Sequence, residues 1–171
     1  MSPHQLTTTR SVITRRLAAP RERVFRAWTE AEHLHRWFFP GHAEDTPPHV
    51  QVGLRVGGRY CITRYAPDGT ITAMVGSVYH EVEPPVKLVF SWAWEAPQPD
   101  TSETLVTVEF HDVEGVTEIV VTHEHCPGLT GQEEHTIGWI CCLERLLQLV
   151  EGTSPHAAVA APAETLMPRE A

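Results

Sequence analysis

The order of apolar and polar positions divides the chain into a run of strands closed by one long helix. Ser11 to Leu17 reads as an edge strand. Pro20 then sits where a helix tolerates proline best, at its first position, because the missing N–H has no helical partner there. The helix that follows ends near Trp28 and places Val24, Ala27 and Trp28 on one stripe. Thr29 and Glu32 have capping-box spacing, which predicts a second short helix from Glu30 to Phe38, ending before Pro40.

Five strand-like runs come next: about Arg59 to Tyr65, Thr70 to Val82, Lys87 to Trp94, Thr104 to His111 and Thr117 to His125. Turn residues separate them at Pro67-Asp68-Gly69, Pro84-Pro85, Pro97 to Asp100 and Glu114-Gly115. Links this short join antiparallel neighbours, so the middle of the chain is an antiparallel meander. Leu88, Phe90, Trp92 and Trp94 alternate onto one face, and Ile119, Val121, His123 and His125 share a face in the last run. A long helix between Thr130 and Gly152 ends the pattern. Thr130 and Glu133 repeat the capping-box spacing, and Gly152 is a natural stop. Trp139, Cys142, Leu143, Leu146, Leu149 and Val150 form its apolar stripe. About twenty helical residues span roughly 30 Å, enough to cross a whole sheet. Strands bracketed by helices give an α+β fold.

Composition narrows the picture. The 171 residues fit one domain from 11 to 152, with residues 1–10 expected to be disordered and an Ala- and Pro-rich tail expected from 153 to 171. The chain carries 22 Asp and Glu against 13 Lys and Arg. That balance argues against nucleic acid or an anionic membrane surface, both of which reward clustered basic residues. Neither a signal-peptide core nor a run of 18 apolar residues is present. The four cysteines form no CxxC pair, and the adjacent Cys141 and Cys142 point to different helix faces. Reduced thiols in a cytoplasmic protein are expected. Gly57-Gly58 before Tyr60 suits a tight turn or bulge, and Gly138 inside the helix implies a close packing partner.

Several stretches occur in a fixed order between about Val12 and Gly152: APRERVFRAWTEAEHLHRWFFPG, GLRVGGRY, GSVYHEVEPPVKLVFSWAW, VTEIVVTHEHCPG and HTIGWICCLERLLQLVEG. Together they resemble the stand-alone bacterial form of the activator of heat-shock protein 90 ATPase homologues, in the START-like (SRPBCC) superfamily. The resemblance implies a helix-grip fold, with an antiparallel curved sheet wrapped around a long C-terminal helix and two short N-terminal helices closing an end. It also implies a cavity between sheet and helix. Members commonly carry a Thr-His pair where this chain has Thr122-His123, and they are not known as metalloproteins. His125 and Cys126 look like additions of this sequence.

The VTHEHCPG stretch, Val121 to Gly128, poses the sharpest chemical question. Histidines at i and i+2 of a strand point the same way and can share a zinc ion, with Cys126, His135 or His80 as further ligands. Glu124, a candidate base, belongs to the opposite face. A surface or cavity-rim pair is the favoured reading of the two histidines, with His123 satisfied by one hydrogen bond at the end of a core strand, and no metal or other cofactor is expected. GxSxG, phosphate-loop and HExxH motifs do not occur. Glu81, Glu83, Glu109 and Glu118 read as water-facing strand residues.

Trp37, Tyr60, Trp92, Trp94 and Trp139 are expected around a space between sheet and helix, joined by Met74, Phe90, His123, His135, Cys142 and Leu143. The expected function is binding of an apolar or aromatic small molecule there, without catalytic apparatus. Burying about 300 Å² of apolar ligand surface would contribute on the order of 7 kcal/mol before entropic costs. Two alternatives stand beside it. One is a cyclase- or aromatase-like enzyme using His123, His135 and Tyr60, as the resemblance to helix-grip relatives implies. The other is a chaperone-partner role, against which stands the short stretch before the first strand, with no room for the N-terminal domain of the eukaryotic activators. The apolar helix also leaves room for a homodimer contact.

Overall fold

The structure, a computed structural model, describes residues 9–38, 47–96, 99 and 103–152. The expected C-terminal tail and residues 1–8 lie outside the described residues. Chain order is β1 (Thr9–Leu17), α1 (Arg21–Thr29), α2 (Ala31–Trp37), β2 (His49–Val52), β3 (Arg59–Tyr65), β4 (Ile71–Glu83), β5 (Lys87–Ala96), β6 (Thr104–Val113), β7 (Val116–Cys126) and α3 (Gly128–Glu151). The strands form one sheet in the order β1-β7-β6-β5-β4-β3-β2, antiparallel at every step. This is the α+β architecture expected from the pattern. Thr9 and Arg10, placed in the N-terminal tail from sequence, begin β1, with Thr9 opposite Cys126 and Arg10 at a register irregularity before Ser11.

Period-two alternation sets which face of the sheet is buried. Val106, Val108 and Phe110 on β6 lie opposite His123, Val121 and Ile119 on β7, and all six are buried. A one-residue slip would send all of them to solvent, so the register is strongly specified. α3 covers this face with Trp139, Leu143, Leu146 and Val150, and it also packs against β1 and both short helices. The short helices bring aromatic rings to one end of the core. Phe25 meets Phe110 edge-on at 5.2 Å, and Trp28 stacks on Trp139 at 5.7 Å.

The helix boundaries differ from those the capping signals predicted. The Thr29 hydroxyl donates back to the Phe25 carbonyl at 3.0 Å and so closes α1 instead of opening α2. Glu30 takes the boundary position with no side-chain cap, its carboxylate already meeting Arg26 at 2.8 Å and His33 at 3.1 Å. α3 begins at Gly128, two residues before Thr130, because the backbone turns sharply through positive φ at His125 and Gly128. β2 escaped the sequence reading because four residues carry too little alternation to register.

Two glycines separate cleanly. Gly57 has φ of 79°, and the backbone around it docks on Tyr79; a Cβ on Gly58 would sit 2.0 Å from the Gly53 carbonyl oxygen. Gly138 was expected to mark close packing, and that expectation is corrected: a Cβ there meets no heavy atom within 4 Å. Gly58→Ala is therefore expected to lower unfolding stability by about 2–4 kcal/mol. Gly138→Ala is expected to raise it by about 1 kcal/mol through helix propensity alone. Urea unfolding of the two variants checks both, and equal effects would contradict the backbone placement.

Candidate functional site

At one end of the sheet the core does not close. β5 runs past the helix, so Trp92 is buried while Trp94, two residues on and on the same face, is half-buried. Opposite them, α3 presents two neighbouring stripes at helical spacing: His135, Trp139 and Cys142, and Glu134, Gly138 and Cys141. With Phe38 at the end of α2 and Arg64 on β3, these residues line a pocket of about 320 Å³. Its walls are aromatic. Trp92 stands 5.5 Å from Trp139, 5.6 Å from Phe38 and 6.1 Å from Trp94, ring centre to ring centre. The absent side chain at Gly138 leaves room on the helix side.

His123 lies behind this pocket, fully buried, and its hydrogen bonds can be followed atom by atom. The Trp139 indole N–H donates to Nδ1 at 3.0 Å. Nδ1 therefore carries no proton, and the neutral ring must hold its proton on Nε2. Nε2–H donates to Thr104 Oγ1 at 2.6 Å, and the Thr104 hydroxyl donates to the Trp92 carbonyl at 3.1 Å. Each donor in this chain meets an acceptor. Burial, and secondarily the His135 ring 4.1 Å away, pushes the His123 pKa down to about 3. A ring held neutral with both nitrogens engaged is poorly placed to act as a general base.

The metal question resolves into two parts. The His123–His125 pair does not form: His125 adopts φ of 65° and is exposed, so alternation breaks and Cys126 turns inward instead. A different trio, His123, Cys126 and His135, brings its nitrogens and sulfur within 4.8 Å of one another. Cation binding there would displace existing bonds. Cys126 Sγ–H donates to the His123 carbonyl at 3.5 Å, burial raises the thiol pKa, and His123 has no free lone pair.

Of the residues expected to surround the cavity, Trp92, Trp94, His135, Trp139 and Cys142 line the pocket. Tyr60 and Phe90 line a separate inner void with Trp28, Leu34, Phe38 and Tyr79. Trp37 and Leu143 are core residues outside both linings, the Trp37 indole donating to the Ala27 carbonyl at 2.8 Å. Met74 sits half-buried on β4 opposite Thr63 and Ala96. His123 acts from behind the wall. Sequence reasoning missed Phe38, Arg64, Glu134, Gly138 and Cys141. Helical spacing from His135, Trp139 and Cys142 would have found the α3 residues; nothing in the pattern marks Arg64.

Another cleft, about 270 Å³, lies where α1 and α2 meet the end of α3. Arg23, Arg26, His33 and Arg36 line it beside Ala27, Leu149 and Val150. Three guanidinium groups suit it poorly to a neutral apolar molecule, whose burial would strip water from the charges.

Comparison with known proteins bears on the fold and the family. The family model described as Activator of Hsp90 ATPase homolog 1-like protein matches residues 18–151. A crystal structure of a Chromobacterium violaceum protein is 26% identical, with a TM-score of 0.70 over 84% of this chain and 96% of that one. An HSP90 activator from Plasmodium falciparum is 25% identical, with a TM-score of 0.63 over 84% of this chain and 96% of that one. A solution structure from Arthrobacter aurescens, 21% identical, shares the fold with a TM-score of 0.71 over 84% of this chain and 86% of that one. No curated protein matches the chain.

The folded protein keeps His123 neutral down to about pH 3, while the unfolded chain protonates it near 6.5. The stability this group contributes is present above about pH 6.5 and is lost as pH falls toward 3. Between pH 6.5 and 5 the wild type should lose up to about 1.4 kcal/mol per pH unit more than His123→Gln in urea titrations. Identical slopes would mean that His123 is not held neutral in the folded state.

Proposed function

The chain belongs to the Activator of Hsp90 ATPase homolog 1-like family, and we propose that it holds a neutral apolar or aromatic small molecule between the end of β5 and the middle of α3. The observation that carries this reading is the aromatic pocket of about 320 Å³ bounded by Phe38, Trp92, Trp94 and Trp139 and left open at Gly138. Its size lies at the lower end of the range of roughly 300–1,000 Å³ usual for small-molecule sites. A planar ring system fits between indole faces, where offset or edge contacts add to simple burial. His135 stands at the wall, perpendicular to Trp92 at 6.5 Å, where it can meet a polar edge of the ligand. His123 contributes indirectly, by holding Trp139 in place.

Likeness to the Plasmodium falciparum HSP90 activator favours a second reading, in which a chaperone is the partner. Its test is stimulation of the chaperone's ATPase by the purified protein, and the pocket reading expects none.

N-phenyl-1-naphthylamine, a neutral fluorescent probe, tests the pocket. Trp94→Ala removes a half-buried wall and should weaken its binding by about tenfold. Gly138→Leu fills open space from the helix and should abolish binding while the protein still unfolds cooperatively. Unchanged affinity in both variants would place the ligand elsewhere.

A further inference from the structure

Phe38 lines two spaces at once: the outer pocket and a small inner void. The void is about 10 Å³, the size of one water-sized sphere, and its other walls are Trp28, Leu34, Tyr60, Tyr79 and Phe90. The polar groups these residues carry are the Trp28 indole N–H and the Tyr60 and Tyr79 hydroxyls. Trp28 Nε1 and Tyr60 Oη are buried, with their residues 3% and 4% exposed; the indole N–H meets no acceptor, and the phenol has only the Ser77 hydroxyl nearby, outside good hydrogen-bond geometry. Ser77 faces Tyr60 across the β3–β4 pair, and its own hydroxyl also lacks partner geometry. Two other indoles of the cluster are paired, Trp37 donating to Ala27 and Trp139 to His123. Buried N–H and O–H groups are normally paired, so unpaired donors around one void call for an acceptor.

Building on the pocket reading, we infer that the inner void recognises a neutral oxygen acceptor, a ketone or quinone carbonyl, at the leading end of an aromatic ligand. A carbonyl oxygen has two lone pairs and can take both the Trp28 N–H and the Tyr60 O–H. A carboxylate does not suit the void, because none of its lining residues carries a charge to offset desolvation. Phe38 is the partition: its ring stands between the outer walls and the void and must swing aside for the carbonyl to enter.

The test uses fluorenone and fluorene, which share one ring skeleton and differ by the carbonyl oxygen, with affinities read from tryptophan quenching. Wild-type protein should bind fluorenone at least as tightly as fluorene, although fluorenone is the more water-soluble. Tyr60→Phe removes one oxygen and Trp28→Phe removes the indole N–H. Each should weaken fluorenone by about tenfold and leave fluorene within about twofold. Phe38→Ala should speed fluorenone association in stopped flow. If both compounds bind but neither Tyr60→Phe nor Trp28→Phe changes their ratio, the void holds only a structural water and the inference is overturned while the pocket reading stands. An unchanged association rate in Phe38→Ala would remove Phe38 as the partition. If neither compound binds wild type, the pocket reading falls and takes this one with it.

Discussion

The hydrogen-bond chain from the Trp139 indole through His123 and Thr104 to the Trp92 carbonyl ties α3 to β7, β6 and β5. Apolar burial holds the rest of α3 on the sheet, but burial is non-directional and tolerates small slides. This chain does not, because shifting the helix would leave the ring nitrogens and the Thr104 hydroxyl buried without partners. The low dielectric around it strengthens each bond and raises the penalty for a missing one. Two of the three pocket-lining tryptophans, Trp92 and Trp139, are therefore anchored at defined positions.

What that anchoring leaves open follows from side-chain size. Toward the C-terminal half of α3, Leu143, Leu146 and Val150 fill the space over the strands. Around its middle, the helix offers Gly138 and two cysteines opposite the strand indoles, and the space stays partly empty. The short helices complete the arrangement by feeding Trp28, Trp37 and Phe38 into the same aromatic cluster. Rigid rings supported at several points can enclose a space without collapsing into it, which flexible aliphatic side chains do less well.

Much of the fold was legible in the sequence because it rests on strong, local signals. Alternation located β3, β5, β6 and β7 to within one or two residues at nearly every end, and helical spacing identified the buried stripe of α3. The capping signals misled because Thr29 and Thr130 had other work or other positions in the chain. The histidine pair misled for a related reason. Alternation is a rule for regular strands, and the left-handed turn at His125 ended the strand's regularity one residue before its last. Which aromatic residues line a space and which fill it was not legible, since Trp37 and Trp94 look alike in the pattern and differ only in how far each strand or helix runs under cover. The void beside Phe38 had no signal at all, because it depends on three-dimensional packing of β3, β4, β5 and the short helices.

The most direct test follows the tryptophan indole N–H resonances by NMR as N-phenyl-1-naphthylamine is added. The account predicts shifts at Trp94 and Trp92, which wall the pocket, and none at Trp37, which is buried and bonded to the Ala27 carbonyl. Unmoved Trp94 and Trp92 signals, with shifts instead at the side chains of Arg23, Arg26 and Arg36, would contradict it and place the ligand in the basic cleft.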